Sequence, residues 1–116
     1  MKEKSVDYYM SFPSYLYDYI TELGSQNYAP KGVVIRQMIG YVKTHDLQDE
    51  IHKKRWTSLI KAPLSENSTY VKMPTSLDMF IMSEVNRRRI SKSEFIRCVV
   101  NYFYQNKKML GDDFHE

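Results

Sequence analysis

The chain has 116 residues, of which 42% are hydrophobic and 27% are charged, and its formal net charge is +3. This composition is typical of a globular protein and excludes a largely disordered chain, and the length suits one small domain or two very small ones that share a core. Polar residues interrupt every apolar stretch before it reaches the roughly 18 residues that span a bilayer, so we expect no membrane partner.

The cysteine content and the first residues bear on location. Cys98 is the single cysteine, so the chain cannot form an internal disulfide. The first ten residues, MKEKSVDYYM, contain no apolar run that could serve as a secretory signal. We therefore expect an intracellular, cytoplasmic protein.

The first predicted element is a strand that ends at Pro13, because proline cannot donate to a strand ladder. Side chains of two kinds alternate along it, and these are Tyr8, Met10 and Phe12 against Tyr9 and Ser11. Period two predicts that the first set is buried and the second is exposed.

Two helices follow the strand. Ser14 is expected to cap the first helix, whose apolar stripe is Leu16, Ile20 and Leu23. Pro30 fits the start of the second helix, which continues through Lys31 and Gly32. Its predicted core residues are Val34, Ile35, Met38, Ile39 and Val42.

Residues 46–67 form a predicted linker that contains a third helix, over about 46–61. Leu47 and Ile51 share one face of this helix, whereas Trp56, Leu59 and Ile60 centre on another. A helix with two apolar faces has two surfaces to cover. We therefore expect Trp56, Leu59 and Ile60 to form an oligomer interface.

An internal repeat organises the chain. A shift of 61 positions aligns residues 8–42 with 69–103 without a gap, and eight of the 35 pairs are identical. The identical pairs are Tyr9/Tyr70, Pro13/Pro74, Leu16/Leu77, Ile20/Ile81, Lys31/Lys92, Ile35/Ile96, Arg36/Arg97 and Tyr41/Tyr102. Two copies of one packing unit are predicted, over 1–45 and 68–108, with an acidic tail over 109–116 and one shared core.

The second copy repeats the same elements. Its strand alternates Val71 and Met73 with Tyr70 and Lys72, and Thr75 is the expected cap of the next helix. Ser91 and Glu94 form a capping box at the start of the last helix. The predicted core of these two helices is Leu77, Ile81, Val85, Phe95, Ile96, Val99, Val100 and Phe103.

Positive charge is concentrated in the second copy. Residues 68–108 carry eight Lys and Arg against three acids, which gives +5, whereas residues 6–45 carry three of each. A basic patch of this kind favours nucleic acid or another polyanion as the partner.

The stretches YVKMP and RRRISKSEFIRCVVNYF resemble the strand and second-helix signature of the ribbon-helix-helix family, the Arc/MetJ/CopG class of DNA-binding proteins. The resemblance covers residues 7–44 and 68–107. The tandem arrangement is similar to that of regulators from filamentous viruses of archaea, and a viral protein of this kind would act in the host cytoplasm. The resemblance implies a mainly α fold in which the two units pair as an intramolecular pseudo-dimer around one two-stranded antiparallel ribbon.

The resemblance also implies a function, that of a transcriptional regulator which binds double-stranded DNA and self-associates on it. In such proteins the ribbon enters the major groove and the second-helix N-termini contact phosphates. The expected base-contacting residues are Asp7, Tyr9, Ser11, Ser68, Tyr70 and Lys72. The expected phosphate-contacting residues are Lys31, Gly32, Arg88, Arg89, Ser91, Lys92 and Ser93. Arg36 and Arg97 lie deeper in their helices and are expected to bridge to a neighbour or a carbonyl.

Other interpretations stay open. Tyr70 and Lys72 fit an ordinary solvated strand face, and residues 86–89 fit a solvated helix end. The alternative function is a protein-interaction module that does not bind DNA, either antitoxin-like or a viral assembly protein. The sequence contains no nucleophile–base set and no third ligand beside His45 and His52, so we expect no enzyme activity, metal, cofactor or small-molecule ligand.

Overall fold

The computed structural model describes residues 4–53 and 63–106, which form two strands and five helices. The strands are β1 (Ser5–Pro13) and β2 (Leu64–Pro74). The helices are α1 (Ser14–Gln26), α2 (Lys31–His45), α3 (Gln48–Lys53), α4 (Thr75–Arg88) and α5 (Lys92–Gln105). The predicted mainly helical fold with one antiparallel two-stranded sheet is therefore confirmed at this level.

The two strands pair antiparallel within one chain, and their register matches the sequence repeat. Tyr9 lies opposite Tyr70, its counterpart 61 positions later. Asp7 lies opposite Lys72, and Ser11 lies opposite Ser68. In the repeat alignment Asp7 corresponds to Ser68 and Ser11 corresponds to Lys72. The pair Asp7–Lys72 therefore occupies positions equivalent to those of the pair Ser68–Ser11. The register therefore relates the strands by an approximate twofold axis through the tyrosine pair.

Burial alternates along both strands as the sequence predicts. The inward side chains are at most 8% exposed, and they are Tyr8, Met10, Phe12, Val71 and Met73. Tyr9 and Lys72 face outward and are exposed. One face of the ribbon therefore belongs to the core and the other is open to solvent.

Helices from both repeats cover the inward face. Phe12 from β1 and Phe103 from α5 are both fully buried in the same apolar cluster. The Tyr15 hydroxyl donates to Asn101 Oδ1 at 2.9 Å, and the Tyr19 hydroxyl donates to the Phe103 carbonyl oxygen at 3.3 Å. The predicted core residues Leu23 and Leu77 are only partly buried and pack at its edge. Side chains from both repeats thus pack in one apolar cluster.

The helix starts differ from the prediction in one respect. Pro13 and Pro74 occupy the cap positions of α1 and α4 without a side-chain hydrogen bond, so the caps expected from Ser14 and Thr75 are wrong. Thr75 instead donates from Oγ1 to the Lys4 carbonyl oxygen at 2.6 Å, and its backbone N–H donates to the same oxygen. This contact ties the start of α4 to the chain just before β1.

The cap of α5 follows the prediction. Ser91 Oγ accepts the Glu94 N–H at 3.0 Å, which confirms the forward half of the predicted capping box. Just before this helix, Arg89 adopts a left-handed conformation with φ 58°, and its counterpart Tyr28 does the same with φ 53° before α2. The turn between the two helices therefore has the same backbone shape in both repeats.

The third helix begins at Gln48 rather than at residue 46, because Asp46 adopts the left-handed conformation that ends α2. Ile51 is 2% exposed and extends the core. The residues predicted to form an oligomer interface, Trp56, Leu59 and Ile60, lie outside the described residues.

In the part of the chain that the structure describes, no helix is long and apolar enough to cross a membrane.

Candidate nucleic-acid interface

The six residues expected to contact bases lie together on the outward face of the ribbon. They alternate with the buried set on both strands, and they are Asp7, Tyr9, Ser11, Ser68, Tyr70 and Lys72. Ser11 is partly exposed and the other five are exposed. The antiparallel register therefore gathers into one patch residues that are about sixty positions apart in sequence.

A tyrosine pair occupies the centre of this patch. The rings of Tyr9 and Tyr70 lie with centroids 5.1 Å apart at an interplanar angle of 44°. The Tyr70 hydroxyl donates to Asp7 Oδ1 at 2.7 Å, and this hydrogen bond to a carboxylate raises the pKa of Tyr70. Within the described residues, the Lys72 ammonium makes no ion pair, so it is the cation of the patch that is available to a ligand.

Two equivalent arginines hold the ribbon from the side. Arg97 Nε donates to the Ser11 carbonyl oxygen at 2.8 Å, and Arg36 donates to the Lys72 carbonyl oxygen at 3.4 Å. Each arginine reaches the strand of the other repeat. Burial lowers the pKa of Arg97. The expected structural role, a bridge to a carbonyl, is confirmed for both.

The start of α2 lies directly against β2. A Cβ on residue 32 would lie 2.5 Å from the Tyr70 carbonyl oxygen and 3.2 Å from the Val71 Cα, so only glycine allows this approach. Its counterpart in the second repeat is Ser93, at the start of α5. α2 packs closely along β2, whereas α5 makes few contacts with β1. The two helix starts are therefore placed differently beside the ribbon.

The two lysines at these helix starts have different surroundings. Lys31 Nζ lies 5.3 Å from the centroid of the Tyr17 ring. Lys92 Nζ lies 5.2 Å from the centroid of the Tyr8 ring and donates to Asp78 Oδ1 at 3.0 Å. Both lysines thus sit over an aromatic ring, and Lys92 also pairs with a carboxylate.

Asp78 is the centre of a buried polar cluster. The residue is 7% exposed, and its carboxylate accepts hydrogen bonds from the Tyr8 hydroxyl and from the Lys92 ammonium. Burial alone would raise the pKa of Asp78, but the hydrogen bonds from Tyr8 and Lys92 outweigh burial and lower it. Burial, and then the bond to Asp78, raise the pKa of Tyr8. The cluster therefore holds an ionised carboxylate between β1, α4 and α5.

A second charged cluster occupies the C-terminal end of α4. The Arg88 side chain is 8% exposed and donates to Glu84 Oε1 at 2.9 Å and to Asp49 of α3. Arg87 donates to the same two carboxylates. Arg89 is exposed at the turn. Arg88 is thus engaged in joining α3 to α4, whereas its neighbour Arg89 is open to solvent.

Sequence reasoning missed the acidic members of these clusters. The spacing of Glu84 and Arg88, four residues apart on one helix, is a signal that could have indicated their pair. Nothing in the sequence indicates the contact between Asp78 and Lys92, because the two lie on different helices. The alternation of the strand predicts Tyr8 only as a core residue. It gives no sign that the Tyr8 hydroxyl donates to Asp78.

Ser91 and Ser93 complete the set expected at the start of α5. Ser91 is exposed, but its hydroxyl already accepts the Glu94 N–H, and Ser93 is partly exposed.

Comparison of the whole chain with protein-family models, with curated proteins and with solved structures finds no match to any of them.

Proposed function

We propose that this chain is a sequence-specific transcriptional regulator that binds double-stranded DNA with the outward face of its ribbon. One observation carries the proposal. Two strands of a single chain form an antiparallel ribbon whose inner face is buried and whose outer face exposes a patch of polar and aromatic side chains.

The major groove of B-DNA suits such a ribbon. It is about 12 Å wide and admits a two-stranded ribbon, and the base edges within it are hydrogen-bond donors and acceptors. Lys72 can donate to guanine O6 and N7, and Ser11 and Ser68 can donate or accept. Arg97 fixes the β1 backbone, and Arg36 contacts the β2 backbone from the other side, so the patch is preorganised for such contacts.

Three repeat-related features support a tandem ribbon-helix-helix arrangement that acts as an intramolecular pseudo-dimer. The strand register is symmetric about the tyrosine pair, the two arginine bridges join repeat-equivalent positions, and the two left-handed residues Tyr28 and Arg89 are repeat counterparts. In this arrangement the starts of α2 and α5 flank the ribbon and approach the phosphates beside the groove. The candidates there are Lys31, Gly32, Arg89, Ser91 and Ser93, together with Lys92 if it leaves its partner Asp78. Self-association on DNA is part of the same proposal.

The proposal is tested by fluorescence anisotropy with duplexes selected from a random pool. Lys72→Ala removes the free cation of the patch and should lose roughly 1–3 kcal/mol of discrimination at its base pair. Lys43→Ala is the matched control, because Lys43 is exposed in the last turn of α2, about 16 Å along the helix from Gly32. It should bind as the unmodified chain does. Absence of duplex binding at low salt, or equal losses in the two variants, would overturn the proposal.

A protein-interaction module is the second candidate, and one observation favours it. Met79 and Met82 lie one turn apart on α4 and are 64% and 43% exposed. Their counterparts in the first repeat are Asp18 and Thr21, so the apolar surface is particular to the second repeat. The chain would be a module of this kind if it binds no duplex and if the Met79→Lys variant loses binding to a protein partner that the unmodified chain binds.

A further inference from the structure

The two lysines at the helix starts are repeat counterparts, yet the residue beside each differs. Tyr17 lies beneath Lys31, and the position equivalent to Tyr17 in the second repeat is Asp78. Asp78 pairs with Lys92 at 3.0 Å. The repeat therefore provides an internal comparison, in which one lysine has a neutral neighbour and the other has a carboxylate.

The carboxylate that holds Lys92 cannot be exposed to water easily. Asp78 is buried, and it also accepts the Tyr8 hydroxyl from β1. If Lys92 turned to a phosphate, Asp78 would lose a charged partner while it remained buried, and an uncompensated buried charge is costly. In addition, the negative charge of Asp78 offsets the positive charge of Lys92, so a phosphate near Lys92 would gain less attraction.

We infer that Asp78 holds Lys92 away from DNA phosphate, so that the two ends of the DNA site bind with unequal strength and the Lys31 end is the stronger. This inference rests on the proposed binding of double-stranded DNA. It assigns Asp78 the role of a positioning residue that sets affinity without contact with DNA. Lys31, whose neighbour is the neutral Tyr17 ring, remains free to donate to a phosphate.

The salt dependence of binding tests the inference, because each neutralised phosphate adds about 0.9 to the slope of −log K against log salt. In the full chain, Lys31→Gln should lower this slope by about 0.9, and Lys92→Gln should change it far less. Asp78→Asn should raise the slope by about 0.9, because Lys92 is then released. Between 50 and 200 mM salt this is a further loss of affinity of roughly threefold.

Two controls separate the release of Lys92 from a simple change of net charge. Asp18→Asn removes an exposed carboxylate from α1 and should leave the slope unchanged. The double variant Asp78→Asn with Lys92→Gln should have the slope of Lys92→Gln alone. If Asp78→Asn does not fold, as judged by circular dichroism, the comparison of Lys31→Gln with Lys92→Gln decides by itself.

Each outcome has a definite meaning. Equal slopes in Lys31→Gln and Lys92→Gln, or a rise in slope for Asp78→Asn that persists without Lys92, would overturn the inference while duplex binding stands. A full chain that binds no duplex at any salt concentration would overturn the proposed function itself, and the inference with it.

Discussion

Arg36 and Arg97 hold equivalent points of the ribbon with unequal contacts. The Arg97 bond to the Ser11 carbonyl is 2.8 Å long and partly buried, whereas the Arg36 bond to the Lys72 carbonyl is 3.4 Å long and exposed. A hydrogen bond from a charged group contributes more when it is short and shielded from water. The β1 side of the ribbon should therefore depend on its arginine more than the β2 side does.

The first prediction compares these two side chains. Arg97→Ala should lower the free energy of unfolding by about 1–3 kcal/mol, because it leaves a shielded carbonyl without its charged donor. Arg36→Ala should cost less than about 1 kcal/mol, since water can replace its donor. Urea unfolding of the two variants measures the difference. Equal losses, or a larger loss for Arg36→Ala, would mean that the two bridges do not differ as their geometry indicates.

The second prediction concerns the acid limb of stability. The pKa of Asp78 is lowered in the folded chain, so its ionised form stabilises the fold above the unfolded pKa of about 3.9. That contribution is lost as the pH falls through the folded pKa. The stability difference between the unmodified chain and Asp78→Asn should therefore be largest near neutral pH and shrink below about pH 4. Urea unfolding at several pH values checks this, and a difference that grows at acid pH would contradict it.

At the residue scale, the sequence predicted which strand residues are buried but not the polar partners of the buried ones. Alternation reports burial, and on that ground Tyr9 and Lys72 were assigned correctly to the outward face. It carries no information on the contact between Tyr8 and Asp78, which joins side chains 70 residues apart. Contacts of this kind arise from the packing of elements that are distant in sequence, which alternation along one strand does not encode.

At the scale of elements, the packing of α2 on β2 is the most constrained contact beside the ribbon. Gly32 allows the helix start to approach the Tyr70 carbonyl, and no side chain fits there without displacement of backbone. Gly40 lies later in the same helix, and a Cβ there would meet no atom within 4 Å. One helix thus contains a glycine that packing requires and another that packing does not.

The third prediction uses this pair. Gly32→Ala should cost about 1–3 kcal/mol, because the new Cβ must push α2 and β2 apart. Gly40→Ala should stabilise the chain by about 0.5–1 kcal/mol, since alanine is the better helix former. Thermal and urea unfolding of both variants give the two signs. Stabilisation by Gly32→Ala would contradict the close approach of α2 to β2.

Helix caps show where sequence reasoning fails for elements. Ser91 caps α5 as predicted, because it stands one position before the helix. Ser14 and Thr75 stand one position too late, since Pro13 and Pro74 already occupy the caps of α1 and α4. Each proline ends its strand, as the sequence predicts, but it is also the N-cap residue of the helix that follows. Caps are sensitive to a shift of one residue, which a sequence pattern does not resolve.

At the scale of the whole molecule, the repeat explains why one chain can form a complete core. A single strand leaves its ladder groups unpaired, and a single pair of helices leaves an apolar stripe uncovered. Here β1 and β2 pair, and hydrogen bonds from Tyr15 and Tyr19 of the first repeat reach α5 of the second. The twofold relation was predictable from the gapless alignment. The unequal surroundings of Lys31 and Lys92 were not, because they arise where the repeats differ.

Backbone amide chemical-shift mapping tests the central claim most directly. The full chain, labelled with ¹⁵N, is titrated with a duplex selected from a random pool. The proposal predicts the largest shifts on the ribbon, at residues such as Tyr9 and Lys72, and at the start of α2, with small shifts around Met79 and Met82. Shifts centred on Met79 and Met82, or no shifts at saturating duplex, would contradict the account.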